Sequence, residues 1–142
     1  MDCRSTSYGD AMPQYRKLHT KATESFDIAD MPDDFTRLMW VFLPLKSCSK
    51  GRGVDMPSWL IGQLFPVRTD VTPKMIEDAM EWFQRRGMIQ RYSIEGRPYY
   101  EIINWEKYQG STDREADSPY PAPDPVPNDT FQSSRPTHDQ LM

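Results

Sequence analysis

Apolar residues recur at helical spacing before residue 45. Phe35, Leu38, Met39, Phe42 and Leu43 stand at i, i+3, i+4, i+7 and i+8, which puts them on one stripe of an α-helix. Met31-Pro32-Asp33-Asp34 precedes the stripe and supplies its start, because proline and acids suit the end where N–H groups are free and the helix dipole is positive. Pro44 removes a hydrogen bond and clashes with the carbonyl of Trp40, so the helix is expected to end or kink there. Upstream, residues 1–13 are small, polar and aperiodic and read as disordered. Tyr15 to Thr23 reads as a short strand or an extended arm.

The pattern continues with a polar loop from Ser47 to Gly53, then a strand of one or two residues at Val54. A second helix is predicted from Pro57 to Phe65, burying Leu60, Ile61 and Leu64 and stopped by Pro66. Thr72-Pro73 is the clearest helix start in the chain, a hydroxyl N-cap followed by proline at the first helical position. Ile76, Ala79, Met80 and Phe83 form the apolar face of this third helix. Arg85-Arg86-Gly87 ends it, with cations in the last turn and a glycine fit for the left-handed cap. The connection from Pro66 to Val71 is longer than the turn of a tight helix-turn-helix. Met88–Ile94 and Arg97–Ile103 are rich in β-formers, and the turn between them suits type I with Gly96 left-handed. Tyr99-Tyr100 and Ile102-Ile103 place apolar groups on both faces of the hairpin, so each face is expected to have some cover. Helix, turn, helix and hairpin in this order predict an α+β, mainly helical fold. Its form is a winged helix-turn-helix over residues 14–110, with a two- to three-stranded β-wing.

Composition sharpens the boundary. Of 13 prolines, five stand at alternate positions from Pro119 to Pro127, and Ser118–Pro127 reads as an extended, polyproline-prone linker. Through Gly110 there are 15 basic and 15 acidic residues, whereas from Ser111 onward there are 2 basic and 6 acidic. The net charge of −4 therefore belongs to the tail, and residues 111–142 are expected to be a disordered, Pro-rich, acidic segment. An acidic pI carried by the tail says nothing for or against nucleic-acid binding by the neutral domain. Two cysteines, Cys3 and Cys48, form neither a metal spacing nor a disulfide framework, as in a reduced cytoplasmic protein. Met1-Asp2-Cys3-Arg4 has no apolar run behind it, and Leu38–Leu45 is far short of a span of about 20 residues, so no signal peptide and no membrane association are expected.

The catalytic inventory is thin. His19 and His138 lack Cys, Asp or Glu neighbours at metal spacing, and there is no phosphate-binding glycine loop, nucleophile elbow or zinc signature. Asn128-Asp129-Thr130 is a chance-level glycosylation triplet. The expectation is a non-catalytic binding module without cofactor or metal, its partner double-stranded DNA. Phosphate and sugar contacts need cations and hydrogen-bond donors. Candidates are Arg68, Thr69, Thr72 and Lys74 at the leading end of the third helix, Arg91 and Arg97 on the hairpin, and Lys50 and Arg52 in the first loop. Each has a plainer alternative. Arg91 and Arg97 equally suit a solvated cross-strand pair, and Arg85 and Arg86 suit a helix C-terminus. Trp40, Trp59 and Trp82 read as core, Met75, Met80 and Met88 as gap-fillers, and Trp105 and Tyr108 as packing of the hairpin end onto the helices. Glu77, Asp78 and Glu81 make the outward flank of the third helix acidic, which phosphates would repel. Contact is therefore expected at the helix tip or the wing. A transcriptional regulator and a protein–protein interaction module of the same fold stay open as alternatives.

The residues Tyr15-Arg16-Lys17-Leu18, Pro32 to Leu38, Gly53-Val54, Gly87-Met88-Ile89, Tyr99 and the close Ile103-Asn104-Trp105-Glu106-Lys107-Tyr108-Gln109 together resemble the N-terminal domain of phage replisome organisers. That domain is similar to the N-terminal winged helix of DnaD-type bacterial replication initiators. The resemblance covers about residues 14–110, and the Asn-Trp-Glu-Lys-x-Gln close is its most specific part. It implies origin-DNA binding at the start of phage or prophage replication, in a bacterial or phage-infected cytoplasm. It also implies self-association and replication proteins, such as a helicase loader, as partners. Family members commonly continue through a linker into a C-terminal domain that engages single-stranded DNA or the helicase-loading machinery.

Overall fold

Asp33 shows how local chemistry begins the fold. Its carboxylate accepts from the Thr36 backbone N–H at 2.9 Å and from the Thr36 hydroxyl at 2.6 Å, capping a helix that runs Asp34–Phe42. The computed structural model describes residues 13–124 of the chain. The expectations for residues 1–12, for Cys3, for the Asn128 triplet, for His138 and for the chain beyond Asp124 lie outside the described residues.

The elements are α1 (Phe26–Ala29), α2 (Asp34–Phe42), β1 (Arg52–Val54), α3 (Pro57–Leu64), α4 (Pro73–Arg85), β2 (Ile89–Ile94), β3 (Arg97–Ile102) and α5 (Trp105–Gln109). Short 3-10 turns at Thr20–Glu24 and Leu43–Lys46 precede α1 and continue α2. The class is α+β, mainly helical, with one antiparallel sheet of order β1-β3-β2. Pro44 ends α2 as expected, but the chain tightens into a 3-10 turn in place of unwinding. The Tyr15–Thr23 segment is extended only to His19, whose Nδ1 accepts from Lys21 N–H and starts the first 3-10 turn. α1 has no periodic apolar stripe to announce it in the sequence. Ser25 caps its start, and Arg37, reaching from α2, donates to the carbonyls of Ile28, Ala29 and Met31 at its end. A four-residue helix has too few internal bonds to stand alone, so these borrowed partners hold it.

The hairpin turn differs from type I. β2 ends at Ile94 and β3 starts at Arg97, leaving Glu95 (φ 53°) and Gly96 (φ 79°) both left-handed. That is the two-residue mirror-image turn, whose twist matches the strands, and it sets Ile89 opposite Ile102 and Tyr92 opposite Tyr99. Alternation then sends Ile89, Tyr100 and Ile102 into the core, and Tyr92, Tyr99, Glu101 and Arg52 to the other face.

The core lies between that inner sheet face and α2, α3 and α4. Met39, Leu43, Ile76, Met80 and Phe83 are wholly enclosed, and Leu60, Phe65 and Ile89 nearly so. Each such side chain contributes about 1.5–3 kcal/mol relative to exposure. Trp40 packs on Phe83 with ring centroids 5.1 Å apart and Trp82 meets the same ring edge-on, so both tryptophans serve the core as expected. Trp59 does not; it is 45% exposed on the outer side of α3. Tyr100 fills the space over Gly53, where a Cβ would stand 2.5 Å from its hydroxyl. That hydroxyl hydrogen-bonds to Ser47 Oγ at 2.8 Å. Burial pushes the Tyr100 phenol well above its ordinary value.

Residues 111–124 do not leave the domain at Gly110. Thr112 is buried and donates to Ser49 O, and Glu115 pairs with Arg16 at 2.7 Å. Tyr120 packs on Tyr99, and Pro121 O accepts from Tyr92 OH at 2.7 Å. Composition alone marked this stretch as tail. The side chains that hold it sit as far away in sequence as Arg16 and Cys48, where no local pattern exposes them.

Candidate nucleic-acid interface

α4 is presented at the surface by its own two ends. Thr72 Oγ1 accepts from Met75 N–H at 3.2 Å and Pro73 sits at the first helical position, so the tip is closed by its own cap. At the far end, Arg86 bridges to Asp27 and Asp30, both at 2.7 Å, and lies over Trp82. This anchors the helix to α1. Arg86 thus serves the helix C-terminus through acids of another element, and Arg85 is exposed.

Most of the expected ligands are engaged within the chain. Arg68 forms a two-pronged bond with Asp70, at 2.9 and 2.6 Å, with its guanidinium 5.6 Å from the Phe65 ring. Lys74 reaches Asp78 one turn on, at 2.9 Å. These bonds hold Arg68 and Lys74 above their ordinary pKa values, and both stay solvent-facing, so the pairs are weak and exchangeable. Thr69 and Thr72 are exposed, but the Thr72 hydroxyl is spent on the cap. Arg52 divides between Glu101, at 2.8 Å, and the Tyr120 carbonyl at 3.2 Å.

Arg91 has a different role from the one its position in the hairpin suggests. It points to the inner sheet face and is held between Asp55, at 2.5 and 3.1 Å, and Glu77, at 2.9 Å on both prongs. Bonding to Glu77 and Asp55 drives its pKa far up, and the same bonds hold Glu77 below its ordinary value. Burial raises Asp55 despite the pull of Arg91. With its side chain 19% exposed, Arg91 ties β2 to α4 and to the residue after β1. It is no cross-strand partner of Arg97: Arg91 stands opposite Tyr100 and Arg97 opposite Ile94, on different faces. Arg97 at the hairpin tip and Lys50 in the first loop are exposed, and neither is in an ion pair among the described residues. Those two are the cations left available at the expected places. The acidic flank of α4 is real, with Glu77, Asp78 and Glu81 all exposed, though Glu77 and Asp78 each neutralise a neighbouring cation.

The close of the resemblance has a structural role. Asn104 turns the chain in the left-handed region (φ 64°), and Trp105 is buried with its indole N–H donating to Ser49 O at 2.8 Å. Arg16 lies over the Trp105 ring at 4.9 Å, and Gln109 clamps the Lys17 backbone at both its N–H and its carbonyl. Tyr15-Arg16-Lys17-Leu18 and Ile103–Gln109 are therefore one assembly, the arm held by α5. Between arm, α2 and α5 lies a groove of about 620 Å³ with exposed Leu18, Phe26, Val41 and Leu45 along it. Among the described residues there is no group of three or more His, Cys, Asp or Glu placed to hold a metal. No helix there is long and apolar enough to cross a membrane. Comparison of the chain with protein-family models, with curated proteins and with solved structures returned no match.

Proposed function

We propose that the domain is a winged helix-turn-helix that binds double-stranded DNA without catalysis. What carries this reading is the topology. A helix, a strand, two further helices and a hairpin follow one another, and β1 closes on the far strand of the hairpin. α4 stands on the surface as the helix after the turn, and the hairpin is the wing. Contact falls on the tip of α4 and the loops, with Lys50 and Arg97 as lead ligands and Arg68, Thr69 and Lys74 available by exchange of their exposed carboxylate partners for phosphate. The flank of Glu77, Asp78 and Glu81 keeps the length of α4 out of the groove. A role at the start of phage or prophage replication rests on the resemblance of residues 14–110. With it come a helicase loader as partner and a cytoplasmic location.

The test is fluorescence anisotropy with a labelled 20-base-pair duplex over a salt series. Binding whose log K falls linearly with log[salt] is expected, and the Lys50→Ala/Arg97→Ala variant should lose about two units of slope. A flat slope, or an unchanged slope in the double variant, overturns the reading. A second reading, self-association through the groove beside Leu18 and Phe26, is favoured by the exposure of those side chains, 62% and 78%. Light scattering that shows a dimer lost on Phe26→Ser, with no duplex binding, would favour it.

A further inference from the structure

The sheet has two faces, and the one turned away from the helices carries Tyr92, Tyr99, Arg52 and Glu101. Tyr92 and Tyr99 stand side by side with ring centroids 5.8 Å apart, and Ser118–Pro121 lies across them. Tyr120 puts its ring against Tyr99 at 6.0 Å, its carbonyl accepts from Arg52 Nη1 at 3.2 Å, and the next carbonyl, that of Pro121, accepts from Tyr92 OH at 2.7 Å. Ser118 Oγ lies 3.0 Å from the buried Cys48 Sγ and fixes the local turn through Tyr120 N–H.

From these contacts we infer that the outer sheet face is a stacking platform for single-stranded nucleic acid, and that residues 118–121 are a strap occupying it. The strap offers what a single strand offers. It has an aromatic ring to stack and backbone oxygens at the cation and the phenol, and although residues 118–121 are themselves uncharged, an acid flanks them on each side, Asp117 and Asp124. Aromatic side chains on an open sheet with a cation at the edge are the usual platform for unpaired bases, which stack without regard to sequence. The pair of carbonyl contacts also fits a proline-rich peptide. The aromatic insertion and the flanking acids favour the nucleic acid. The inference does not rest on duplex binding by α4, because the platform lies on the other side of the sheet.

The test uses the full chain and a fluorescein-labelled oligo-dT 20-mer, with the 20-base-pair duplex as a separate probe. Tyr120→Ala/Pro121→Ala is expected to bind oligo-dT about ten-fold more tightly than the parent, because the Tyr120 ring no longer occupies Tyr99 and the strap, losing the proline constraint, is held by its two carbonyl contacts alone. Adding Tyr99→Leu should abolish that gain, with circular dichroism checking that the fold is kept. Tyr92→Phe, which removes only the hydroxyl, should weaken the strap and raise affinity by a smaller factor. Unchanged oligo-dT affinity in the strap variant overturns the inference. So does a gain that survives Tyr99→Leu, or a strap variant that binds a labelled peptide of residues 116–127 and not the oligonucleotide.

Discussion

Arg91 and Glu77 close a two-pronged bridge between β2 and α4, Nη1 to Oε2 and Nη2 to Oε1 both at 2.9 Å, while Arg91 Nε holds the buried Asp55 behind it. The bridge fixes the hairpin relative to the helix beside it. Removing the two ends has unequal consequences. Arg91→Ala leaves Asp55 buried beside no cation and should cost about 3 kcal/mol, whereas Glu77→Gln keeps Arg91 on Asp55 and should cost under about 1 kcal/mol. Urea unfolding of both variants measures the difference; equal losses would place the anchor elsewhere.

Acid should weaken the fold through Asp33 and Glu77. Both carboxyls sit below their ordinary values of 3.8 and 4.5, Asp33 because Thr36 donates to it twice and Glu77 because Arg91 does. A group whose folded pKa is depressed stabilises the fold above its unfolded value and loses that contribution as pH falls through the folded one. Asp55, raised by burial, acts with the opposite sign and takes up its proton earlier in the folded state. Melting temperature should therefore drop from about pH 4.5 downward, and Asp33→Asn should make that decline shallower. An identical acid profile in Asp33→Asn would remove the cap from the account.

Gly51 and Trp105 are mutually dependent. Gly51 has φ +76°, and a Cβ there would stand 2.8 Å from the Trp105 ring. Gly51→Ala should cost more than about 1 kcal/mol from backbone strain alone, and further through displacement of the indole. Trp105→Phe removes the bond to Ser49 O and should lose about 1–2 kcal/mol. Near-ultraviolet circular dichroism through a thermal melt reports both; a Gly51→Ala variant as stable as the parent would contradict the packing described.

Under the proposed duplex binding, the acidic flank of α4 repels phosphate and limits affinity. Asp78→Asn/Glu81→Gln removes two charges from exposed positions and frees Lys74 from its partner. Anisotropy at low salt should show several-fold tighter duplex binding and a steeper salt dependence. Weaker binding would mean that these acids touch the ligand.

Local signals located α2, α3, α4 and the hairpin because each lies within a few residues of its cause, whereas the short α1 and α5 carry no such signal. Thr72-Pro73 starts α4, the stripe from Phe35 to Leu43 makes α2, and Glu95-Gly96 turns the hairpin, though with both residues left-handed where one was expected. The candidate site was legible only as a roll of cations. Arg68 and Lys74 have partners two and four residues away, so their pairing was readable in principle from Asp70 and Asp78. That of Arg91 was not, because Asp55 and Glu77 are 36 and 14 residues distant and come to it only when β1 docks on β3 and α4 packs beneath the sheet.

By itself the sequence determined the order of α2, β1, α3, α4 and the hairpin, the caps and breakers between them, and the neutrality of the first 110 residues against an acidic remainder. Only the tertiary structure decided which arginine is exposed and which is enclosed, that the Trp105 close braces the arm, and that residues 118–121 cover a tyrosine face of the sheet. The physical reason is range. Capping, turn formation and amphipathic period act over a few residues, whereas desolvation and ion pairing depend on neighbours that chain topology brings together from far apart.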